Sequence, residues 1–177
     1  MGEPHPYVVL ARETVRRFLT NEKEPSSGLE IAPDGGMWNI PRACFVSIKK
    51  NNGDLRGCIG TIEPVKPRLD AEIMANAVSS ATRDPRFDPI EARELDGLVF
   101  SVDVLSEPEP VRDISELDPK KWGVIVSSGY RRGVLLPDLE GVDTAEYQLE
   151  IAARKAGIHD INGAVIERFT VDRYSEK

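Results

Sequence analysis

The stretch that most constrains this chain runs from Ala43 to Gly60. Two runs with strand character, Ala43-Cys44-Phe45-Val46-Ser47-Ile48-Lys49-Lys50 and Leu55-Arg56-Gly57-Cys58-Ile59-Gly60, flank the segment Asn51-Asn52-Gly53-Asp54. Asn-Gly between such runs points to a β-hairpin, because both residues tolerate positive φ. With Asn52-Gly53 at the turn centre, Cys58 falls opposite Ser47 and three residues along from Cys44. At ~3.3 Å per residue that offset is about 10 Å, too long for a disulfide. Side chains alternate along a strand, so Arg56 and Cys58 share one face while Gly57 and Ile59 take the other.

The rest of the chain supplies helices and further strands. From Tyr7 to Leu19, Val8, Ala11, Val15 and Phe18 form one helical face, with Pro6 suited to its start. Asn21 to Pro41 is rich in turn formers and reads as loop, anchored on the core by Trp38 and Ile40. Pro67 opens a second helix whose apolar stripe is Leu69, Ile73, Ala77, Val78 and Ala81. It ends near Arg83, since Asp84-Pro85-Arg86-Phe87-Asp88-Pro89 holds two prolines. A short helical piece follows from Ile90 to Leu95, ending at Gly97, and Leu98 to Leu105 reads as a strand with a buried centre. After the extended Glu107-Pro108-Glu109-Pro110 comes a second hairpin, Gly123 to Ser127 and Arg132 to Leu136. Asp143 with Glu146 resembles a capping box for a third long helix, which buries Tyr147, Ile151 and Ala152 and stops at Gly157. Val165 to Arg173 closes the chain as one strand.

The two hairpins echo each other. Gly53-Asp54-Leu55-Arg56-Gly57-Cys58-Ile59 matches Gly129-Tyr130-Arg131-Arg132-Gly133-Val134-Leu135 in the offset of Arg-Gly from the turn glycine, and a helix follows each. Strand–turn–strand–helix twice over suggests a duplicated unit, about 43–82 and 123–157, within one domain of 177 residues.

Bulk properties narrow the functional classes. The net charge of −7 argues against a surface built throughout to grip nucleic acid, although one local basic face would still allow it. No apolar run approaches the ~20 residues of a membrane span. The N-terminus lacks a signal-peptide core, and Met1-Gly2 lacks the Ser or Thr of a myristoylation site, so a cytoplasmic location is expected. Cys44, Cys58, His5 and His159 match no zinc spacing, and no cofactor is expected.

Leu55-Arg56-Gly57-Cys58-Ile59-Gly60 resembles the signature of the AMMECR family. Arg42-Ala43-Cys44-Phe45-Val46-Ser47-Ile48, Asp84-Pro85-Arg86-Phe87, Gly133-Val134-Leu135-Leu136-Pro137 and Lys155-Ala156-Gly157 resemble further family stretches, so the likeness covers roughly Thr14 to Tyr174. The resemblance implies an α+β fold of two related strand–turn–strand–helix units around a curved, mainly antiparallel sheet with flanking helices. It also implies a gene neighbourhood shared with Memo-like and radical-SAM proteins. One departure is Trp122-Gly123, where many relatives carry histidine beside the glycine.

Two readings of the chemistry follow. In the first, the chain is a binding component that holds an anionic ligand or a partner protein on a surface made by Arg56, Gly57, Arg86 and Arg132. Guanidinium forks suit carboxylate and phosphate. In the second it is a thiol enzyme, with Cys58 as nucleophile activated by Arg56 and arginines stabilising an anion. Each residue also has a structural reading. Cys58 can be a small buried apolar residue, and its echo is Val134. Arg56 and Arg132 can pair with local acids, and Asp84-Arg86-Phe87 can end a helix, form an ion pair and plug the core. The glycines Gly57, Gly60 and Gly133 inside strand-like runs mark a bulge or a close approach, by a ligand or by a packed helix.

Overall fold

The computed structural model describes residues 3–32 and 37–176. The expectations on Met1-Gly2, and on Pro33-Asp34-Gly35-Gly36 within the loop, lie outside the described residues. The chain divides into two compact units, Met1–Val104 with Asp172–Lys177, and Leu105–Val171. Each has its own four-stranded sheet.

The first unit is made of helix α1 (Pro6–Leu19), the short α2 (Gly28–Ile31), strands β1 (Cys44–Lys50) and β2 (Leu55–Gly60), helix α3 (Leu69–Thr82) and strand β3 (Leu98–Leu105). The final strand β8 (Val171–Ser175) completes its sheet, in the order β2-β1-β3-β8. The hairpin register is the one the turn dictates, with Ser47 opposite Cys58, until a bulge between Ile48 and Lys49. Ile48 pairs with Gly57 and Lys49 with Leu55, so Arg56 is the extra residue. Both cysteines are free thiols. α3 packs on β1, β2 and α1, and the core includes Leu10, Val15, Ile48, Ile73 and Phe100.

Several elements differ from the sequence reading. Phe18 is 40% exposed, and Leu10 and Thr14 take its place on the buried face of α1. The loop contains α2, whose Gly28 lies beneath the Trp38 ring. α3 begins at Leu69, its Arg68 cap following Pro67, and ends at the Arg83 cap. The expected helical piece is a 3-10 turn at Ala92–Gly97 with a capping box between Glu91 and Glu94.

His5 is the N-cap of α1, its Nδ1 accepting the Tyr7 N–H at 3.3 Å and its ring stacked on Tyr174 at 4.0 Å. That bond needs a neutral Nδ1, and burial holds the His5 pKa below its ordinary value of 6.5. The unfolded chain therefore takes up the proton first, so stability present above pH 6.5 declines as pH falls below it. The melting temperature should drop between pH 7.5 and 5.5 more in the wild type than in His5→Asn, which caps without titrating there. An equal drop in both would remove His5 from this account.

The second unit comprises β4 (Glu109–Pro110), β5 (Gly123–Ser128), β6 (Arg131–Leu135), helix α4 (Ala145–Lys155) and β7 (Val165–Phe169), with sheet order β4-β7-β5-β6. α4 packs on β5 and β6. Its cap is Thr144, whose hydroxyl accepts the Tyr147 N–H, rather than the Asp143–Glu146 box. Tyr147 is 44% exposed and Ile151 only half-buried, while Gln148, Leu149 and Ala153 join the expected Ala152 on the buried face. The closing strand breaks at Thr170, so β7 belongs to the second sheet and β8 to the first.

Candidate functional site

One face of α3 organises the site. Glu72, Asn76 and Ser80 follow one another at i+4 spacing and are buried, as is Asp84 one turn beyond Ser80. Each bonds the hairpin or its exit. Glu72 accepts the Thr61 hydroxyl and the Val65 and Lys66 N–H groups. Asn76 donates to the Cys44 carbonyl at 3.0 Å. The Ser80 hydroxyl donates to the Val46 carbonyl at 2.7 Å and accepts the Ile59 N–H at 2.8 Å. Asp84 accepts the Cys58 N–H at 2.9 Å. Reading only apolar periodicity misses these residues. The signal that finds them is the same period carried by polar side chains, since a polar row on a core-facing helix must be hydrogen-bonded.

The hexapeptide fits against this row. At Gly57 an added Cβ would lie 2.1 Å from the Ser80 carbonyl oxygen, so the close approach is by a packed helix. The second unit repeats the device. A Cβ on Gly133 would lie 1.8 Å from the Ala152 carbonyl oxygen. Gln148, one turn before Ala152, donates to the Trp122 carbonyl, as Asn76 one turn before Ser80 does to Cys44. Gly57 pairs with Ile48 and Gly133 with Val126, so Cys44 and Trp122 stand at matching positions, four residues earlier.

The bulge aims Arg56 at the 90s turn. Its Nε and Nη2 donate to Glu94 at 2.9 and 3.0 Å, Nη1 to the Asp88 carbonyl at 2.8 Å and Nη2 to the Pro89 carbonyl at 3.4 Å. Its side chain is only 11% exposed. Four of five donors are thus engaged inside the unit, and Arg56 holds the Glu94 carboxyl below its ordinary pKa.

Arg86 is 56% exposed, and its Nε and Nη2 grip both oxygens of Asp84 at 2.9 and 2.7 Å. This pair, together with the Cys58 and Arg86 N–H groups, holds the Asp84 carboxyl far below the usual carboxylate range. Nη2 also reaches the Cys58 carbonyl at 3.5 Å. Phe87 is half-buried and lies outside the core cluster, with the Arg86 guanidinium 5.5 Å from its ring centre.

Cys58 is half-buried, and its Sγ lies 3.2 Å from the Ser47 hydroxyl. Cys44, by contrast, is fully buried, and desolvation pushes its thiol up to about 12. Arg56, Gly57, Cys58 and Arg86 thus belong to the first unit, gathered around Asp84 and Glu94, while Arg132 belongs to the second. There it reaches Glu167 at 3.3 Å. His5 is engaged at the α1 cap. His159 lines a cleft of about 340 Å³ in the second unit, beside Glu146, Glu150, Arg154 and Asp160. Among the described residues, no group of three or more His, Cys, Asp or Glu could hold a metal ion, and no helix is long and apolar enough to cross a membrane.

Comparison with known proteins places the chain in one family. The AMMECR1 family model matches residues 8–177. A protein of Thermotoga maritima is 53% identical, the match covering 98% of this chain and 99% of that one. Protein CA_C1420 of Clostridium acetobutylicum is 49% identical over 98% of this chain, which spans only 36% of that relative's length. The crystal structure of the uncharacterized protein PH0010 from Pyrococcus horikoshii superposes with a TM-score of 0.85, covering 98% of this chain and 91% of that one at 29% identity. With the family model spanning residues 8–177 and a relative 53% identical over nearly the full length of both chains, this protein belongs to the AMMECR1 family.

Proposed function

We propose that the chain is a non-catalytic binding component that engages a partner protein through the Pro85-Arg86-Phe87 turn beside Cys58. The observation that carries this reading is the contrast between two arginines. Arg56 is closed in by Glu94 and two carbonyls, whereas Arg86 is more than half exposed, lies 5.5 Å from the ring centre of a half-buried phenylalanine and is anchored by buried Asp84. Arginine and aromatic residues, phenylalanine included, are enriched at protein interfaces. Asp84 neutralises the Arg86 charge, which favours a protein partner over a free anion. CA_C1420 supports the same reading, since there the matched region is little over a third of a longer chain. By family resemblance, the partners are the Memo-like and radical-SAM proteins of a modification system.

The test is calorimetric titration of those two partners, singly and together, into the wild type, Phe87→Ala and, as a control, Arg93→Ala. Arg93 is 81% exposed and pairs with its near neighbour Glu91. Phe87→Ala should weaken binding by about tenfold or more, the scale of an aromatic hot spot, with Arg93→Ala unchanged. Equal affinity for all three proteins would overturn the proposal.

A second reading, a thiol enzyme using Cys58, is favoured by the Ser47 hydroxyl on Sγ and the neighbouring Arg86. It requires Cys58 to react with iodoacetamide faster than an ordinary cysteine. A rate at or below that of a free thiol excludes it.

A further inference from the structure

β2 is an edge strand, since its sheet runs β2-β1-β3-β8. An edge presents alternate residues whose N–H and C=O both point outward, and an uncovered edge recruits another strand. Cys58 is such a residue. Its N–H does not enter the ladder but goes to Asp84 at 2.9 Å, and its C=O is met by Arg86 at 3.5 Å. The carboxylate supplies one acceptor and the guanidinium one donor, the complement that a neighbouring strand's residue would offer. Asp84 and Arg86 are locked to each other across Pro85, which has no N–H of its own to present.

We propose that the Asp84–Arg86 pair is a side-chain cap on the β2 edge, and that what it excludes is the β2 edge of a second copy of this chain. The geometry of the edge selects this occupant. Antiparallel pairing of two identical edges centred on Cys58 lets each Cys58 give its N–H to, and take its C=O bond from, the other. This reproduces with backbone both bonds now made by the cap. Such a hydrogen-bonded pair sets the two Cys58 Cα atoms about 5.5 Å apart with their side chains on the same face. The second echo behaves alike: on edge strand β6, Lys155 donates to the carbonyl of Val134, the counterpart of Cys58. This inference concerns self-association and stands independently of the partner reading above.

The thiols make the proposal directly measurable. In the full chain, Asp84→Ser/Arg86→Ala removes both halves of the cap. With a short-arm bismaleimide, that variant should form a covalent dimer about tenfold more than the wild type, the weight of two edge hydrogen bonds. Adding Cys58→Ser should abolish the dimer, because Cys44 is buried. Without the reagent, sedimentation equilibrium should show the double variant self-associating more than the wild type, and Cys58→Ser should leave that unchanged because the pairing is made by backbone. A folded double variant that stays monomeric, or a wild type that crosslinks as readily, overturns the proposal. Should the double variant fail to fold, Arg86→Ala alone frees the carbonyl and removes the guanidinium that locks Asp84, so the carboxylate can release the Cys58 N–H. That variant must then crosslink more than the wild type, and no increase overturns the proposal equally.

Discussion

Gly57→Ala is expected to destabilise the first unit by about 3 kcal/mol or more, and Gly133→Ala to do the same to the second. In each case the new methyl meets a helix carbonyl, at 2.1 Å from Ser80 and 1.8 Å from Ala152. Backbone cannot swing aside as a side chain can, so helix and hairpin must separate, and overpacking on that scale costs at the upper end of the usual range. For a chain of this size the melting temperature should fall by roughly 10 °C. Gly97→Ala, with nothing within 4 Å of the added atom, is the control and should change little. If Gly57→Ala melts with the wild type, the hairpin is not seated on α3 as described.

Arg56→Ala has the second large effect expected. It removes four hydrogen bonds and leaves the Glu94 carboxylate, itself 31% exposed, without its guanidinium. Breaking a fully buried pair costs about 3–5 kcal/mol, and the partial exposure of Glu94 lowers that to about 2–3 kcal/mol. A double-mutant cycle with Glu94→Ala should give a coupling of about 1–2 kcal/mol. Additive losses would mean that the ion pair contributes nothing and that the carbonyl bonds carry the effect.

How far the sequence could be read depended on which forces local residues control. Asn52-Gly53 sets its own turn, so the Ser47–Cys58 register could be read directly. The assignment of Arg56 and Cys58 to one face made no allowance for the bulge at Arg56, whose bonds go to Glu94 and to carbonyls distant in sequence. Apolar periodicity found α1, α3 and α4 but put Phe18 and Tyr147 inside, as each lies at the edge of its stripe. The Glu72-Asn76-Ser80-Asp84 row escaped because buried polar residues are identified by partners distant in sequence. The break at Thr170 was hidden since β7 and β8 are each strand-like and nothing local marks a change of sheet. We propose that the shared contacts of Gly57 with Gly133 and of Asn76 with Gln148 reflect an internal duplication. It has kept the hairpin–helix seat and let the polar row lapse to Ala152 and Ala156 in the second unit.

We propose that the hexapeptide is a folding motif and that the turn beside it is the working surface. The most direct test uses Arg56→Ala at a temperature where it remains folded, titrated calorimetrically with the Memo-like and radical-SAM proteins. Arg56→Ala should lower the melting temperature and keep wild-type affinity. An unchanged melting temperature with affinity lost by tenfold or more, about 1.4 kcal/mol, would place Arg56 itself in the interface and contradict the proposal.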